Sequence, residues 1–275
     1  MRALLKIELE RAFRGAGIKI AMLIGLIISI ANFVLEVYPK TENPLQVFVA
    51  DAQMLPYNVF NSWIGGKINF EYSLFIYIIP ILVVIPYGAT YFSDMKSGVI
   101  KNYYTRIEKK KYLIAKSIAV FLSAGVVTVV PLIANLAMTS AVLPSIIPQP
   151  TGEFTICANA MWSSIFYTHP YVYIMLYIFA IFLMSGCIAC VALSVSLFAN
   201  NKFVAMLFPF LLCNVIRILS SYSFYYIIRG LGWTRVFDMT QIGLNYFPSI
   251  VIDIILFASI GIFLFWRKGG RDDAL

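Results

Sequence analysis

Long, nearly uninterrupted apolar runs alternate along this chain with short polar connections. A helix needs about 20 apolar residues to cross a hydrocarbon core of about 30 Å. Segments 18–38, 72–92, 112–138, 171–199, 203–221 and 246–266 meet that length. Strands of a membrane barrel would instead show alternating segments of about 10 residues. These runs are continuously apolar, so the pattern predicts six transmembrane helices. The third and fourth exceed the required length and should tilt or project beyond the bilayer. Ahead of the first run, residues 1–17 follow helical spacing. Leu5, Leu9, Ala12, Phe13 and Ala16 share one face, while Lys6, Glu10 and Arg14 lie opposite. This predicts an amphipathic helix lying in the membrane interface. The apolar stretch that follows is too long for a cleaved signal peptide.

The connections differ in character. Segment 39–71 carries Phe48, Tyr57, Phe60, Trp63 and Phe70, broken by Pro44, Pro56 and the Gly65-Gly66 pair. Such aromatics settle at the membrane–water boundary, and a short surface helix is predicted within 45–64. Segment 139–170 is punctuated by Pro144, Pro148, Pro150 and Pro170. Segment 222–245 is apolar and aromatic, with Gly230, Gly232, Arg229, Arg235 and Asp238. It predicts two half-helices re-entering the outer leaflet, where bent backbone must be shielded by protein. The fold class is therefore an all-α polytopic membrane protein. Residues 1–275 form a single transmembrane domain.

Composition agrees: 61% of the residues are hydrophobic and only 12% charged, too few to wet a soluble surface. The formal net charge of +8 would suggest nucleic acid in a soluble protein. Here its location matters more. Arg2, Lys6, Arg11, Arg14, Lys19, Lys96, Lys101, Arg106, Lys109, Lys110, Lys111, Lys116, Lys202, Arg267, Lys268 and Arg271 all fall on one side of the six-span topology. Lys40, Lys67, Arg229 and Arg235 fall on the other. The positive-inside rule then places both termini in the cytoplasm. The basic excess reads as orientation and anionic-lipid contact; no nucleic acid is expected.

Several chemistries lack their residues. There is no G-x-x-x-x-G-K-[ST] loop, no G-x-S-x-G elbow and no H-E-x-x-H. His169 is the sole histidine and precedes Pro170 at a span entrance, where an interfacial role suits it. Cys187-x-x-Cys190 has redox spacing but no accompanying ligands, and small residues packing against a neighbouring helix explain it better. No catalytic, cofactor-binding or metal residues are expected. The chain reads as no enzyme in itself.

Charges inside a bilayer are costly unless paired. Arg217 lies about 21 Å from the inner start of its span, and Asp253 about 10 Å from the outer start of the sixth, which are similar depths in a core of about 30 Å. This predicts an Arg217–Asp253 ion pair, a helix clip ahead of a substrate contact. Elsewhere the span interiors offer Asn32, Asn135 and Asn214. Ion-coupled carriers usually place several ionisable groups at the midplane; none lies there clearly.

The inner loop, 93–111, and the start of the third span read SDMKSGVIKNYYTRIEKKKYLIAK. It serves as a topology anchor or as a docking element for an acidic cytoplasmic surface. An interfacial N-terminal helix, six spans, a D/E-x-x-x-G motif below the second span, and an Arg and a Lys leading into the third together resemble the membrane subunit of a type-two ATP-binding-cassette exporter. The matching positions are Asp94, Gly98, Arg106 and Lys116, with Tyr104-Thr105 standing where the family commonly has a proline before the Arg. The apolar segment before the last span is similar too.

That resemblance implies a permease working with two cytoplasmic ATPase subunits that bind ATP and magnesium, and with a second copy of itself. It implies that Asp94, Lys96, Gly98, Arg106, Glu108, Lys109, Lys110, Lys111 and Lys116 lie at or near the ATPase contact. It also implies a dimer seam along the first and fifth spans, in the cytoplasmic membrane. With 22 Phe and 17 Tyr but few polar groups in its spans, the chain suits a hydrophobic or amphipathic cargo such as a peptide or drug. An ion-coupled carrier or channel, a non-transporting scaffold or immunity protein, and an exporter of lipid-linked sugar or polysaccharide remain open alternatives.

Overall fold

The computed structural model describes residues 1–42, 45–47, 54–148, 156–157, 160–222, 232–240 and 245–271. The described chain is helical apart from one three-residue antiparallel ladder. Five helices are long and apolar enough to cross a membrane: Ala16–Glu42, Lys109–Val142, Pro170–Ser196, Lys202–Ser220 and Phe247–Gly270.

Helix α1 (Arg2–Arg14) is separated from α2 (Ala16–Asn32) by extended backbone at Gly15. A π-helical turn, Phe33–Val37, and α3 (Pro39–Glu42) prolong α2. Strand β1 (Leu45–Val47) pairs with β2 (Met54–Pro56) in the register Leu45↔Pro56 to Val47↔Met54. Among the described residues of 45–64, the predicted surface helix is confined to α4 (Val59–Ser62). Its start is set by a reciprocal cap: Asn58 Oδ1 accepts the Asn61 N–H at 3.0 Å, and Asn61 Oδ1 accepts the Asn58 N–H at 3.2 Å.

The predicted second span, 72–92, is not one helix. Helix α5 (Phe70–Leu82) starts where the Asn69 side chain accepts the Tyr72 N–H at 2.9 Å. It gives way to consecutive turns before α6 (Thr90–Lys96) begins. Pro80 and Pro86 each lack the N–H that an unbroken helix spends on the carbonyl four residues back. At 13 residues α5 is about 20 Å long, shorter than a hydrocarbon core. Helix α7 (Val99–Tyr104) leads to α8 (Lys109–Val142), which exceeds the predicted third span at both ends. There follow α9 (Ser163–Thr168), α10 (Pro170–Ser196) and α11 (Lys202–Tyr222). Helices α12 (Phe247–Ala258) and α13 (Leu264–Arg271) are joined by a π turn, Ser259–Phe263. Carbonyls loosened in that turn are met by Ser194, whose hydroxyl donates to Ile260 O at 2.7 Å and Gly261 O at 2.8 Å. Most of the predicted re-entrant segment, 222–245, lies outside the described residues; within it Trp233–Val236 forms a single 3-10 turn.

The core lies between α8 and α10. In α10, 78% of the apolar stretch is buried, against 17% in α11, so α10 is central and α11 peripheral. The α8–α10 seam interlocks reciprocally. A Cβ at Gly125 of α8 would overlap the Phe182 ring, and one at Gly186 of α10 would overlap the Phe121 ring. The two rings meet edge to face at 5.8 Å. Small residues that admit a neighbour's bulk are the usual means of close helix approach in lipid, where burial itself supplies little drive. Further along α8, Asn135 is fully buried. Its Nδ2 donates to Ser29 O at 2.9 Å and Asn32 Oδ1 at 3.0 Å, while its Oδ1 accepts the Ile64 N–H at 2.8 Å. One amide therefore ties α2, α8 and the loop after α4.

Replacing Gly125 by Leu should overpack this seam and cost about 1–3 kcal/mol. Thermal unfolding of the detergent-solubilised chain checks this; an unchanged midpoint would show that the seam is loose.

Candidate functional site

The N-terminal helix turns a mixed face inward. Leu4, Glu8 and Ala12 are its buried residues, spaced four apart. Phe13, expected on the apolar face, is 40% exposed. The buried stripe is rotated from the predicted one because Glu8 is drawn into a charge cluster against the foot of α8.

Four ionisable side chains meet there. Lys116, in the second turn of α8, and Glu8 are both completely enclosed. The Lys116 ammonium lies 2.7 Å from Asp94 Oδ2 and 3.1 Å from Glu8 Oε2, and donates to the Tyr87 hydroxyl at 3.1 Å. The ammonium thus hydrogen-bonds Asp94 and Tyr87 and pairs in charge with Glu8. Arg11 reaches Asp94 with both nitrogens, Nη2 to Oδ1 at 2.7 Å and Nη1 to Oδ2 at 3.2 Å, and Nη1 also lies 3.2 Å from Glu8 Oε1. Tyr87 donates to Glu8 Oε2 at 2.6 Å, and Tyr112 donates to Asp94 Oδ2 at 3.2 Å. Two cations and two anions cancel. A buried ion is tolerated only when its charge and its hydrogen-bonding groups are matched in this way.

The elements placing these groups converge from distant parts of the sequence. Glu8 and Arg11 stand three residues apart on α1, hence on one face. Asp94 is near the end of α6, and Tyr87 comes from the turn that breaks the predicted second span. Tyr112 and Lys116 are four apart on α8. Burial alone would raise the Asp94 carboxyl's pKa. The Arg11 hydrogen bond and the Lys116 charge outweigh it and hold that carboxyl below its ordinary value.

Of the residues expected at the ATPase contact, the structure brings Asp94 and Lys116 together and leaves the others outside the cluster. Gly98 takes a left-handed conformation, φ 73°, at the turn from α6 to α7, which side-chain-bearing residues seldom adopt. Lys96 lies over the Phe92 ring at 5.8 Å, and Lys109 over Tyr104 at 5.6 Å. Glu108 and Lys111 pair at 2.7 Å on the surface, and Arg106 and Lys110 are exposed. Helix α7 nevertheless touches the cluster through aromatic rings. Tyr103 and Tyr104 pack on Tyr112 at 5.1 and 5.9 Å between centroids, and Ile100 is fully buried beneath them.

Sequence reasoning missed Glu8, Arg11, Tyr87 and Tyr112. The available signal was a glutamate between Leu4 and Ala12 at four-residue spacing, opposite an Asp and a Lys left without partners.

The Arg217–Asp253 ion pair does not form. Asp253 is buried and accepts the Gly232 N–H at 3.0 Å. Arg217 points along another face of α11, donating to Asn214 Oδ1 at 3.3 Å and lying over the Tyr77 ring at 5.5 Å. Equal depth did not bring equal azimuth. Cys190 faces α8, its thiol 3.8 Å from Ser117 O.

No protein-family model, no curated protein and no solved structure matches this chain.

Asp94 yields a pH test. Its folded pKa is depressed, so its stabilisation is complete above the unfolded value of about 3.9 and is lost as pH falls through the folded value. Asp94→Asn should destabilise the chain by roughly 3 kcal/mol at neutral pH, and its gap from the parent should narrow below about pH 4. A gap constant from pH 7 into the acid range would show that the carboxylate's charge is not what matters.

Proposed function

We propose that this chain is the permease subunit of an ATP-binding-cassette exporter, driven by a separate ATPase subunit. The observation that carries the reading is the charge cluster. It binds the N-terminal helix, the end of α6 and the foot of α8 into one unit, with α7 packed against it by aromatic rings. A push on the loop that contains α7 is thereby delivered to the longest helix of the body.

In this reading α5, the turns after it and the first turn of α6 make the sixth crossing and leave Asp94 at its inner end, and both termini are cytoplasmic, which the distribution of basic residues supports. Arg106, Lys109, Lys110 and Lys111 present cations to an acidic groove on the ATPase. A second copy of the chain completes the transporter. The apolar faces of α2 and α11, including Ile20, Leu23, Ile27, Leu211, Val215 and Leu219, meet lipid or that second copy. The cargo is hydrophobic or amphipathic, because the spans offer aromatic and aliphatic walls.

The test isolates the tagged chain from its native membrane and assays vesicles. The expected result is a co-purifying subunit with a phosphate-binding loop, and ATP-dependent movement of a hydrophobic dye that vanadate stops. Arg106→Glu with Lys110→Glu should retain about tenfold less of that subunit, a loss of about 1.4 kcal/mol. Transport that ignores vanadate but collapses with an ionophore would contradict the reading in favour of an ion-coupled carrier.

A further inference from the structure

A cavity of about 490 Å³ opens at the end of the helical body away from the charge cluster. Its volume is typical of sites for small organic ligands. It lies between the first half of α5, the last turns of α11 and residues 232–238. The walls are fixed. The Trp233 indole N–H donates to Cys213 O at 2.8 Å, and the Gly232 N–H is held by the buried Asp253 carboxylate at 3.0 Å. The segment that closes the cavity is thereby clamped to both α11 and α12. On the opposite wall Tyr77 packs edge to face on Phe210 at 5.4 Å and carries the Arg217 guanidinium at 5.5 Å.

The lining is amphipathic. Tyr72, Ile76, Tyr77 and Trp233 supply apolar surface, while Arg217 and Arg235 supply guanidiniums. Asp238 also lines it, its Oδ1 accepting the Thr240 hydroxyl at 2.7 Å. Among the described lining residues two guanidiniums face the Asp238 carboxylate, and the Asp253 carboxylate lies behind the Gly232 N–H. Arg217 sits little more than one turn before the end of α11, so about 8 Å inside it. With six crossings and the end of α11 at the outer boundary, as proposed above, that is the depth of headgroups and the first acyl carbons, where an arginine can reach the interface.

We propose that this cavity binds a lipid with a monoanionic phosphodiester headgroup, its phosphate between Arg217 and Arg235 and its acyl chain along Ile76, Tyr77 and Trp233. Guanidiniums match phosphate oxygens with paired, charge-assisted hydrogen bonds. The apolar wall beside the guanidiniums suits a diester that carries an acyl chain better than a free phosphate. The site needs no ATPase, so its test stands apart from the transport reading.

The full chain in neutral detergent, without nucleotide, is titrated with dioleoyl phosphatidylglycerol and with dioleoyl phosphatidylcholine, and bound copies are counted by native mass spectrometry. The first phosphatidylglycerol should bind about tenfold more tightly than phosphatidylcholine, and millimolar inorganic phosphate should not displace it. Arg217→Gln with Arg235→Gln should erase the preference, whereas Arg106→Gln with Lys110→Gln, at the other end, should keep it. Should the double variant fail to fold, Ser73→Phe, which fills the cavity and leaves its charges, should also erase the preference. Equal binding of the two lipids, displacement by free phosphate, or a preference that survives in the folded cavity variants would overturn the assignment.

Discussion

The Lys116 ammonium is fully enclosed, near the start of the longest helix of the chain. An ammonium in such a place would be untenable alone, since its lost hydration amounts to several kcal/mol. It persists because Glu8 and Asp94 bring opposite charge and Tyr87 brings a third acceptor. Much follows from that requirement. The N-terminal helix must dock with Glu8 inward, although this rotates its apolar stripe and leaves Phe13 exposed. The apolar run 72–92 must break so that Tyr87 and Asp94 can reach the same point. Arg11 is then needed, because two carboxylates facing one lysine would leave an unmatched charge.

From this point the body is stiffened along α8. Tyr112 couples the cluster to α7, the Phe121–Gly186 and Phe182–Gly125 contacts lock α8 to α10, and Asn135 joins α8 to α2 and to the loop after α4. The Trp266 indole adds a clip from α13 by donating to Ser117 Oγ at 3.1 Å. These contacts lie at successive levels of one helix, so a displacement at its foot meets few compliant joints. The peripheral α11 is held more lightly, and the amphipathic cavity lies along it.

The helical class and most spans were legible because lipid imposes one rule, a long apolar run, that needs no knowledge of partners. Five of the six predicted runs became long helices within a few residues of their expected ends. The exception, 72–92, is apolar throughout; Pro80 and Pro86 fix its breakpoint, which hydropathy does not weigh. The cluster was half legible. Asp94 and Lys116 stood out as charges beside spans, whereas Glu8 and Arg11 belonged neither to the apolar face expected of the N-terminal helix nor to its polar face of Lys6, Glu10 and Arg14. Pairing depends on rotation about helix axes, which one-dimensional spacing constrains within a helix and leaves free between helices. For the same reason Arg217 and Asp253, matched in depth, turned out to face different neighbours.

Stability measurements on Glu8→Gln, Lys116→Met and the double variant show whether charge holds the N-terminal helix to α8. Each single change leaves the enclosed cluster with an unbalanced charge, and the double change restores balance. The double variant should lose less than the two singles combined, with a coupling of about 2 kcal/mol. Losses that simply add would contradict it, because Glu8 and Lys116 would then contribute independently and the N-terminal helix would not be held by charge.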